Sequence, residues 1–242
     1  MPTCLLVRHG HSSANGEGLL AGRLPGIHLT EAGRDQAARL AQALTGVPVV
    51  RVVSSPLERC LETATPLAAA AGVELIVDQD LQECAYGAWT GRKLAELAKE
   101  PLWATVQDDP MEARFPEDPA YAAESLTEMA QRVTTAVRRI DAEVREEHGE
   151  AAVWVAVSHG DLVKAVLADA TGSGLQHFQS YTADPASVSA VRYGTRHTFL
   201  LAANVITTDL SRFVPAPQSQ PEGDAVVGGG VGGVGEAPRE QG

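Results

Sequence analysis

Apolar residues along the chain fall into short continuous runs and into longer stretches with helical spacing. The short runs predict strands over residues 3–7, 49–53, 73–77, 152–157, 188–193 and 198–204. The helical spacing predicts helices over residues 30–44, 55–70, 125–147 and 162–170. Strands that alternate with helices are typical of crossover connections in a parallel sheet. The expected fold class is therefore α/β, a three-layer sandwich with a mostly parallel central sheet and helices on both faces.

Two of the predicted helices carry local start signals. Thr30 can cap the first of them, with Glu31 in its first turn. Ser55 can cap the second, with Pro56 at its first helical position. Pro66 lies inside that second helix and predicts a kink, because its ring cannot continue the hydrogen-bond ladder.

The chain divides into a body and a tail. No linker interrupts residues 1–214, so we expect them to form a single domain. Within it, residues 95–123 contain four prolines and little periodicity, which predicts an irregular, lid-like insertion over one end of the sheet. Residues 215–242 contain eight glycines and four prolines. So little apolar bulk cannot offset the entropy lost on ordering, and this segment is predicted to be a disordered tail.

The composition is that of a globular protein with a large core, with 44% hydrophobic and 21% charged residues. With 19 Lys and Arg against 31 Asp and Glu, the formal net charge is −12, which argues against nucleic-acid binding. No apolar run is long enough for a signal-peptide core or a membrane span. Three widely spaced cysteines, Cys4, Cys60 and Cys84, are typical of reduced thiols. We therefore expect a cytoplasmic protein that does not bind a membrane.

Two predicted strands end in the same way. The run 3–7 leads into Arg8-His9-Gly10, and the run 152–157 leads into Ser158-His159-Gly160. In an open parallel sheet, ligands bind beyond the carboxyl ends of the strands. Two imidazoles delivered to that edge can face each other across a small site. The alternative is that each histidine is an ordinary core or loop residue, which is the usual situation for a lone histidine.

Arg59 favours the first interpretation. It lies just inside the helix that follows a third strand end, so it and Arg8 can approach one oxyanion. Each guanidinium offers forked N–H donors that suit phosphate, and a helix N-terminus nearby adds free amides. Taken singly, an arginine such as Arg59 is more often a solvated helix residue, here paired with Glu62. Taken together with His9 and His159, it predicts a phosphate pocket.

Four blocks of sequence resemble the histidine phosphatase superfamily in its phosphoglycerate mutase-like branch. They occur in the family's order, each at a strand-to-helix junction, and are Leu6–Gly10, Leu29–Gly33, Ser54–Ala64 and Ser158–Gly160. The resemblance covers nearly all of residues 3–210. It implies that His9 is the nucleophile that forms a phosphohistidine, and that His159, Arg8 and Arg59 stabilise the charge of the transferring group. It implies no metal and no cofactor.

The same resemblance assigns further residues. The stretch Glu83–Gly91 matches the family's acidic segment, so Glu83 is implied as the general acid and base, although it is otherwise a plain acidic loop residue. Asn15 matches a position whose amide contacts phosphate, with a simple turn residue as the alternative. Independently of the resemblance, Gly22 and Arg23 are assigned to substrate binding, because Arg23 can recognise a remote anion. Two departures from the family pattern border the predicted site: His11 lies where many members carry Glu, and Cys84 replaces a residue that is often basic or acidic.

Hydrolysis is the expected reaction. Between residues 95 and 123 the only basic residues are Lys99 and Arg114, amid seven acidic ones that include Asp108, Asp109, Glu112, Glu117 and Asp118, so a second anionic group on the substrate is disfavoured. Trp103 in this segment is a candidate for the substrate mouth. The alternatives are a phosphoglycerate mutase-type transfer, a dinuclear metallohydrolase and a non-catalytic phospho-ligand binding module. The metallohydrolase would be built on His9 and His11 with His159 and Asp161, which is an incomplete ligand set. The expected partner is a small-molecule phosphomonoester, and assembly into a homo-oligomer stays open.

Overall fold

A six-stranded sheet forms the centre of the protein. The computed structural model describes residues 1–206, 210 and 214, together with the backbone of 225–226 and 230–231. The strands are β1 (Thr3–Arg8), β2 (Val49–Ser54), β3 (Leu75–Val77), β4 (Val153–Ser158), β5 (Val188–Tyr193) and β6 (Thr198–Val205). Their order in the sheet is β3-β2-β4-β1-β5-β6. The first four in this order run parallel, whereas β5 pairs antiparallel with β1 and β6 pairs antiparallel with β5. The prediction of a mostly parallel sheet is confirmed.

Seven α-helices surround the sheet in the described part of the chain. They are α1 (Ser13–Glu17), α2 (Glu31–Ala43), α3 (Glu58–Ala71), α4 (Leu94–Leu97), α5 (Pro101–Asp108), α6 (Leu126–His148) and α7 (Gly160–Ala170). None of these helices combines the length and the apolar character that a membrane span requires.

The helices form two layers because alternate side chains of the central strands point to opposite faces. Leu5 and Val7 of β1 pack in one core with residues of α2 and α3. Cys4 and Leu6 of the same strand pack in the other core with residues of α6 and α7. A strand buried on both faces reads as a continuous apolar run, which is why β1 and β4 stand out in the sequence. The predicted three-layer architecture is confirmed.

The structure confirms one predicted helix start and corrects another. The Thr30 hydroxyl accepts a hydrogen bond from the Gly33 amide at 3.1 Å, as an N-cap does. In contrast, α3 begins later than predicted, at Glu58, without a side-chain cap. Ser55 is used elsewhere, because its Oγ lies 2.9 Å from Nε2 of His159. Pro66 lies within α3, which continues past it to its C-terminal end.

The segment predicted to be irregular contains a helix and packs on the core. Its eight-residue helix α5 begins at Pro101. A backbone N–H at the first helical position has no partner within the helix, so proline, which lacks this N–H, is well suited to that position. Trp103 of this helix stacks on the buried Trp89 with ring centroids 6.2 Å apart, so Trp103 belongs to the core periphery rather than to a substrate mouth. The predicted tail, 215–242, lies outside the described residues except for β7 (Ala225–Val226) and β8 (Gly230–Val231), which pair antiparallel. The domain boundary at 214 stays a prediction.

Candidate active site

The pairing of β1 with β4 brings the two histidines together. Arg8 lies opposite Ser158 in the parallel register, so the residues that follow, His9 and His159, leave the sheet side by side. The His9 amide donates to the Ser158 carbonyl at 2.9 Å. The two rings meet edge to face with centroids 5.3 Å apart, and both are buried. A cavity of about 240 Å³ opens at this edge of the sheet, with His9 in its wall and His159 enclosed behind it.

The hydrogen bonds of His9 fix which ring nitrogen carries the proton. Nδ1 lies 2.8 Å from the Gly10 carbonyl oxygen, which can only accept, so Nδ1 is the donor. Nε2 receives a hydrogen bond from Nε of Arg59 at 3.3 Å and therefore carries a lone pair. Burial holds the pKa of His9 well below its ordinary value, and the charges of Arg59 and Arg8 add to this effect. The imidazole is thus neutral at neutral pH, with its lone pair on Nε2.

His159 has the opposite arrangement of donors and acceptors. Arg59 donates through Nη2 to Nδ1 of His159 at 3.2 Å, so the proton of this ring is on Nε2 and points to Oγ of Ser55. Burial, followed by the positive charge of Arg59, lowers the pKa of His159 well below its usual range. Ser55 and Arg59 together therefore fix the orientation and tautomer of a neutral ring.

Two guanidinium groups at the cavity have donors that remain unused. Arg59 donates through Nη2 to the Gly22 carbonyl at 2.8 Å, and Arg8 donates through Nη1 to the Ala183 carbonyl at 2.6 Å. Within the described part of the chain, the buried Nη1 of Arg59 and Nε of Arg8 have no partner. A buried donor without a partner costs about 1–3 kcal/mol, and more when it is charged. An oxyanion in the cavity would satisfy both donors, so the geometry fits an anion site.

Glu83 lies in the wall of the same cavity. Its Oε1 accepts from the Cys84 amide at 2.9 Å, and its Oε2 lies 3.7 Å from Nδ1 of His159. Burial, followed by the negative charge of Asp161, raises the pKa of Glu83 to about 7. A carboxyl group that titrates near neutral pH can both donate and accept a proton under ordinary conditions.

The structure separates the two residues that were assigned to substrate binding. Gly22 lines the cavity, and its carbonyl holds Arg59. Arg23 does not line the cavity, because its Nη2 pairs with Oε1 of Glu124 at 3.0 Å and its Nε donates to the Glu83 carbonyl at 2.8 Å. These contacts anchor the backbone that carries Glu83, and the assignment of Arg23 to a remote anion stays a prediction.

Asn15 takes part in a helix cap and also lines the cavity. Ser12 and Asn15 form a capping box at the start of α1, in which Oδ1 of Asn15 accepts from the Ser12 amide at 3.0 Å. This bond leaves the Nδ2 group of Asn15 without a hydrogen-bond partner among the described residues. Because Asn15 also lines the cavity, the side chain both caps a helix and offers a donor to a bound anion.

Three polar cavity residues were not assigned to the phosphate site by the sequence analysis. Lys164 approaches Asp161 with Nζ 3.2 Å from Oδ1, and the Tyr86 hydroxyl donates to Oδ2 of Asp161 at 2.8 Å. All three line the cavity. The available signal was the i, i+3 spacing of Asp161 and Lys164 directly after His159, which places them on one face of a helix that starts at the site.

The residues at which the sequence departs from the family pattern lie outside the cavity lining. His11 is held by Oγ1 of Thr30, 3.1 Å from its Nδ1, and Cys84 is buried in the core. In the described part of the chain, no group of three or more His, Cys, Asp or Glu side chains has a geometry that could hold a metal ion.

The fold is α/β, and its cavity places buried arginine donors that suit an oxyanion beside the neutral imidazole of His9. The chain belongs to the histidine phosphatase superfamily, because the model of its branch 1 matches residues 4–206. Phosphoserine phosphatase 1 of Hydrogenobacter thermophilus is 32% identical over 218 residues, which span 88% of this chain and 96% of that protein. Phosphoglycerate mutase-like protein 4 of Arabidopsis thaliana is 33% identical over 168 residues, spanning 67% of this chain and 68% of that protein.

A solved structure supports the same assignment. The mycobacterial glucosyl-3-phosphoglycerate phosphatase in complex with VO3 matches with a TM-score of 0.73 and 25% identity, over 84% of this chain and 98% of that one. The resemblance proposed from the sequence, together with its phosphoglycerate mutase-like fold, is confirmed. Because the relatives include both phosphatases and mutase-like proteins, the chain is an enzyme of the phosphatase or mutase type.

Proposed function

We propose that the protein hydrolyses small phosphomonoesters in two steps through a phosphohistidine on His9. The observation that carries this proposal is the Nε2 lone pair of His9 in a cavity where Arg8 and Arg59 have buried donors with no partner among the described residues. An anion bound by the two guanidinium groups brings phosphorus next to a neutral nucleophile. Positioning and charge stabilisation are what phosphoryl transfer mainly needs.

In the first step, Nε2 of His9 attacks phosphorus, and the N–P bond forms as the P–O bond to the alcohol breaks. The positive charge that develops on the ring is stabilised by the Nδ1–H bond to the Gly10 carbonyl. The departing alkoxide takes a proton from Glu83, whose pKa of about 7 keeps a large share of it protonated at neutral pH. The bound anion favours protonation of His159, which adds charge stabilisation behind Arg59.

In the second step, water attacks phosphorus and gives its proton to the Glu83 carboxylate. The P–N bond breaks, inorganic phosphate is released, and His9 regains its neutral form. Glu83 ends the cycle protonated, as it began. One carboxyl group therefore serves as the acid of the first step and the base of the second, and a pKa near neutral suits both roles.

The charges around the cavity favour hydrolysis, in which water accepts the phosphoryl group, over transfer to a second anionic substrate. Lys99 is exposed, and Arg114 pairs with Oε1 of Glu128 at 2.7 Å; neither lines the cavity. Apart from Arg8, Arg59 and Lys164, which pairs with Asp161, no Arg or Lys side chain lines it in the described part of the chain. A phosphoglycerate mutase-type transfer at the same site is the alternative, and the mutase-like relative keeps it in view.

The phosphohistidine can be tested directly. Brief incubation with labelled phosphomonoester, followed by quenching in alkali, is expected to leave acid-labile, base-stable phosphate on the protein. The label is expected to be lost in His9→Ala and kept in His11→Ala, a matched control at a histidine outside the cavity lining. Equal labelling of the two variants, or none in the unmodified protein during active turnover, would refute the intermediate.

Hydrolysis and transfer are separated by product analysis. With 3-phosphoglycerate as substrate and excess chelator present, we expect inorganic phosphate to be released faster than 2-phosphoglycerate is formed. Faster interconversion would establish the mutase alternative. Loss of all activity in chelator would establish metal dependence instead.

A further inference from the structure

An ion pair in the cavity wall makes no direct contact with the reacting atoms in the two proposed steps, although its carboxylate acts electrostatically on Glu83. Asp161 and Lys164 lie in the first two turns of α7, with Oδ1 and Nζ 3.2 Å apart. Their side chains are 28% and 15% exposed, and both line the cavity. A pair held in the wall of a small cavity is available to whatever fills that cavity.

The surroundings hold both charged groups in place. The Tyr86 hydroxyl donates to Oδ2 of Asp161 at 2.8 Å. Nζ of Lys164 donates to Oε1 of Gln179 at 2.6 Å and lies 4.4 Å from the centre of the Phe178 ring. An ion pair fixed in this way presents its charges in a defined direction, so it can select the orientation of a ligand.

Both groups keep capacity for one more partner. An ammonium group has three N–H donors, and Lys164 uses two of them, on Asp161 and Gln179. A carboxylate can accept about four hydrogen bonds, and two to Asp161 are found. A ligand can therefore bind to the pair without breaking it.

The ion pair adjoins the place where the alcohol group of the substrate would lie. Gly160, the residue before Asp161, packs against the Arg8 side chain, whose Cζ lies 3.5 Å from the position a Cβ would take. Asp161 also acts electrostatically on Glu83, the proposed acid for the leaving alcohol. The cavity of about 240 Å³ leaves room only for a small group between these points.

The charges of the pair select among small alcohols. A substrate with only a carboxylate in this region is attracted by Lys164 and repelled by Asp161. A substrate with only an ammonium group is attracted by Asp161 and repelled by Lys164. A group that carries both charges can lie antiparallel to the pair, so that all nearest neighbours are of opposite sign. An ammonium and a carboxylate on one carbon atom are held close together by bond geometry, at a separation that matches an ion pair in contact.

We infer that the alcohol subsite, defined as Asp161, Lys164 and Tyr86, recognises O-phosphorylated α-amino acids. The substrate ammonium binds Asp161 and its carboxylate binds Lys164. This inference rests on the proposed phosphatase function and adds a substrate class to it.

Three substrates that differ by one group test this inference. O-Phosphoserine carries both charges, phosphoethanolamine lacks the carboxylate, and 3-phosphoglycerate has a hydroxyl in place of the ammonium. We expect kcat/KM for phosphate release from O-phosphoserine to exceed that of each analogue roughly ten- to hundredfold, as for one charge-assisted hydrogen bond. Lys164→Met is expected to abolish the preference over phosphoethanolamine. Asp161→Asn is expected to abolish the preference over 3-phosphoglycerate.

Ratios measured within one variant separate recognition from folding, because a loss of folded protein lowers both rates equally. Lys99→Met and Asp108→Asn remove the same charges at exposed sites outside the cavity lining, and both are expected to keep the two preferences. A flat substrate profile, or preferences that survive in Lys164→Met and Asp161→Asn, would overturn the inference.

Glycerol phosphate, whose alcohol is uncharged, distinguishes this failure from that of the proposed function. If it is hydrolysed through a phosphohistidine while the profile is flat, only the subsite is wrong. If neither glycerol phosphate nor O-phosphoserine is hydrolysed and no phosphohistidine forms, the proposed function fails as well.

Discussion

The titration of Glu83 makes a quantitative prediction. As the proposed general acid, its carboxyl must be protonated in order to give a proton to the leaving alkoxide. We therefore expect kcat/KM to be high below the pKa of Glu83 and to fall as the pH rises through about 7. With a pKa of about 7, half of the molecules hold this proton at pH 7. A carboxyl at the ordinary value of 4.5 would be protonated in only ~0.3% of molecules at that pH, so burial beside Asp161 raises the population of the acid on the order of 100-fold.

Glu83→Gln removes the titrating proton while keeping the shape of the side chain. We expect kcat/KM for an alkyl phosphate to fall by ~10²–10⁴ and its decline above pH 7 to disappear. With p-nitrophenyl phosphate, whose leaving group needs no proton, the fall should be much smaller in the first step.

The assay is phosphate release between pH 5 and 9 for both substrates. Asp80→Asn removes an exposed carboxyl from the same loop and is the matched control, with an unchanged profile expected. A decline near pH 7 that persists in Glu83→Gln would assign the titration to another group. Equal losses on the alkyl and nitrophenyl substrates would show that Glu83 is not the acid.

Three further predictions concern binding and stability. Inorganic phosphate is expected to raise the melting temperature of the unmodified protein in proportion to the logarithm of its concentration, and to do so far less in Arg59→Ala, as a thermal shift series will show. Gly33→Ala should lower the free energy of unfolding, measured in urea titrations, by about 3 kcal/mol, because the added Cβ would lie 2.0 Å from the backbone oxygen of His11. Gly16→Ala is the control and should leave the free energy of unfolding unchanged, because no atom lies nearer than 3.6 Å to its added Cβ. His9 and His159 resist protonation when folded, so stability is expected to fall as the pH drops below 6.5, by up to ~1.4 kcal/mol per pH unit for each ring, and this slope should be shallower in His9→Gln.

The strands and the histidine pair could be predicted because their signals are local. Burial on both faces makes β1 and β4 continuous apolar runs, and the chain direction alone places His9 and His159 beyond their carboxyl ends. The position of Arg59 after a third strand follows in the same way. The positions of His9, His159 and Arg59 at the sheet edge could therefore be predicted without knowing how the side chains pack.

The sequence could not show contacts between residues that are far apart in the chain. Ser55 has the sequence of a helix cap, but its hydroxyl bonds to His159, 104 residues later. Arg23 looks free in sequence, yet Glu124, 101 residues away, holds it. The spacing of Asp161 and Lys164 was visible, but only the packing of α7 decides that their side of the helix meets the cavity.

The groups of the site come from two different kinds of structural element, and the register between β1 and β4 fixes only one of the two sets. The groups proposed to act on phosphorus, such as His9 and His159, leave the ends of adjacent strands whose positions the two cores fix. The groups proposed to lie around the alcohol belong to the largely buried loop that carries Glu83 and Tyr86 and to the first turns of α7. An engineer could therefore exchange the alcohol-facing side chains to retune which ester is accepted, while the reactive centre keeps its geometry.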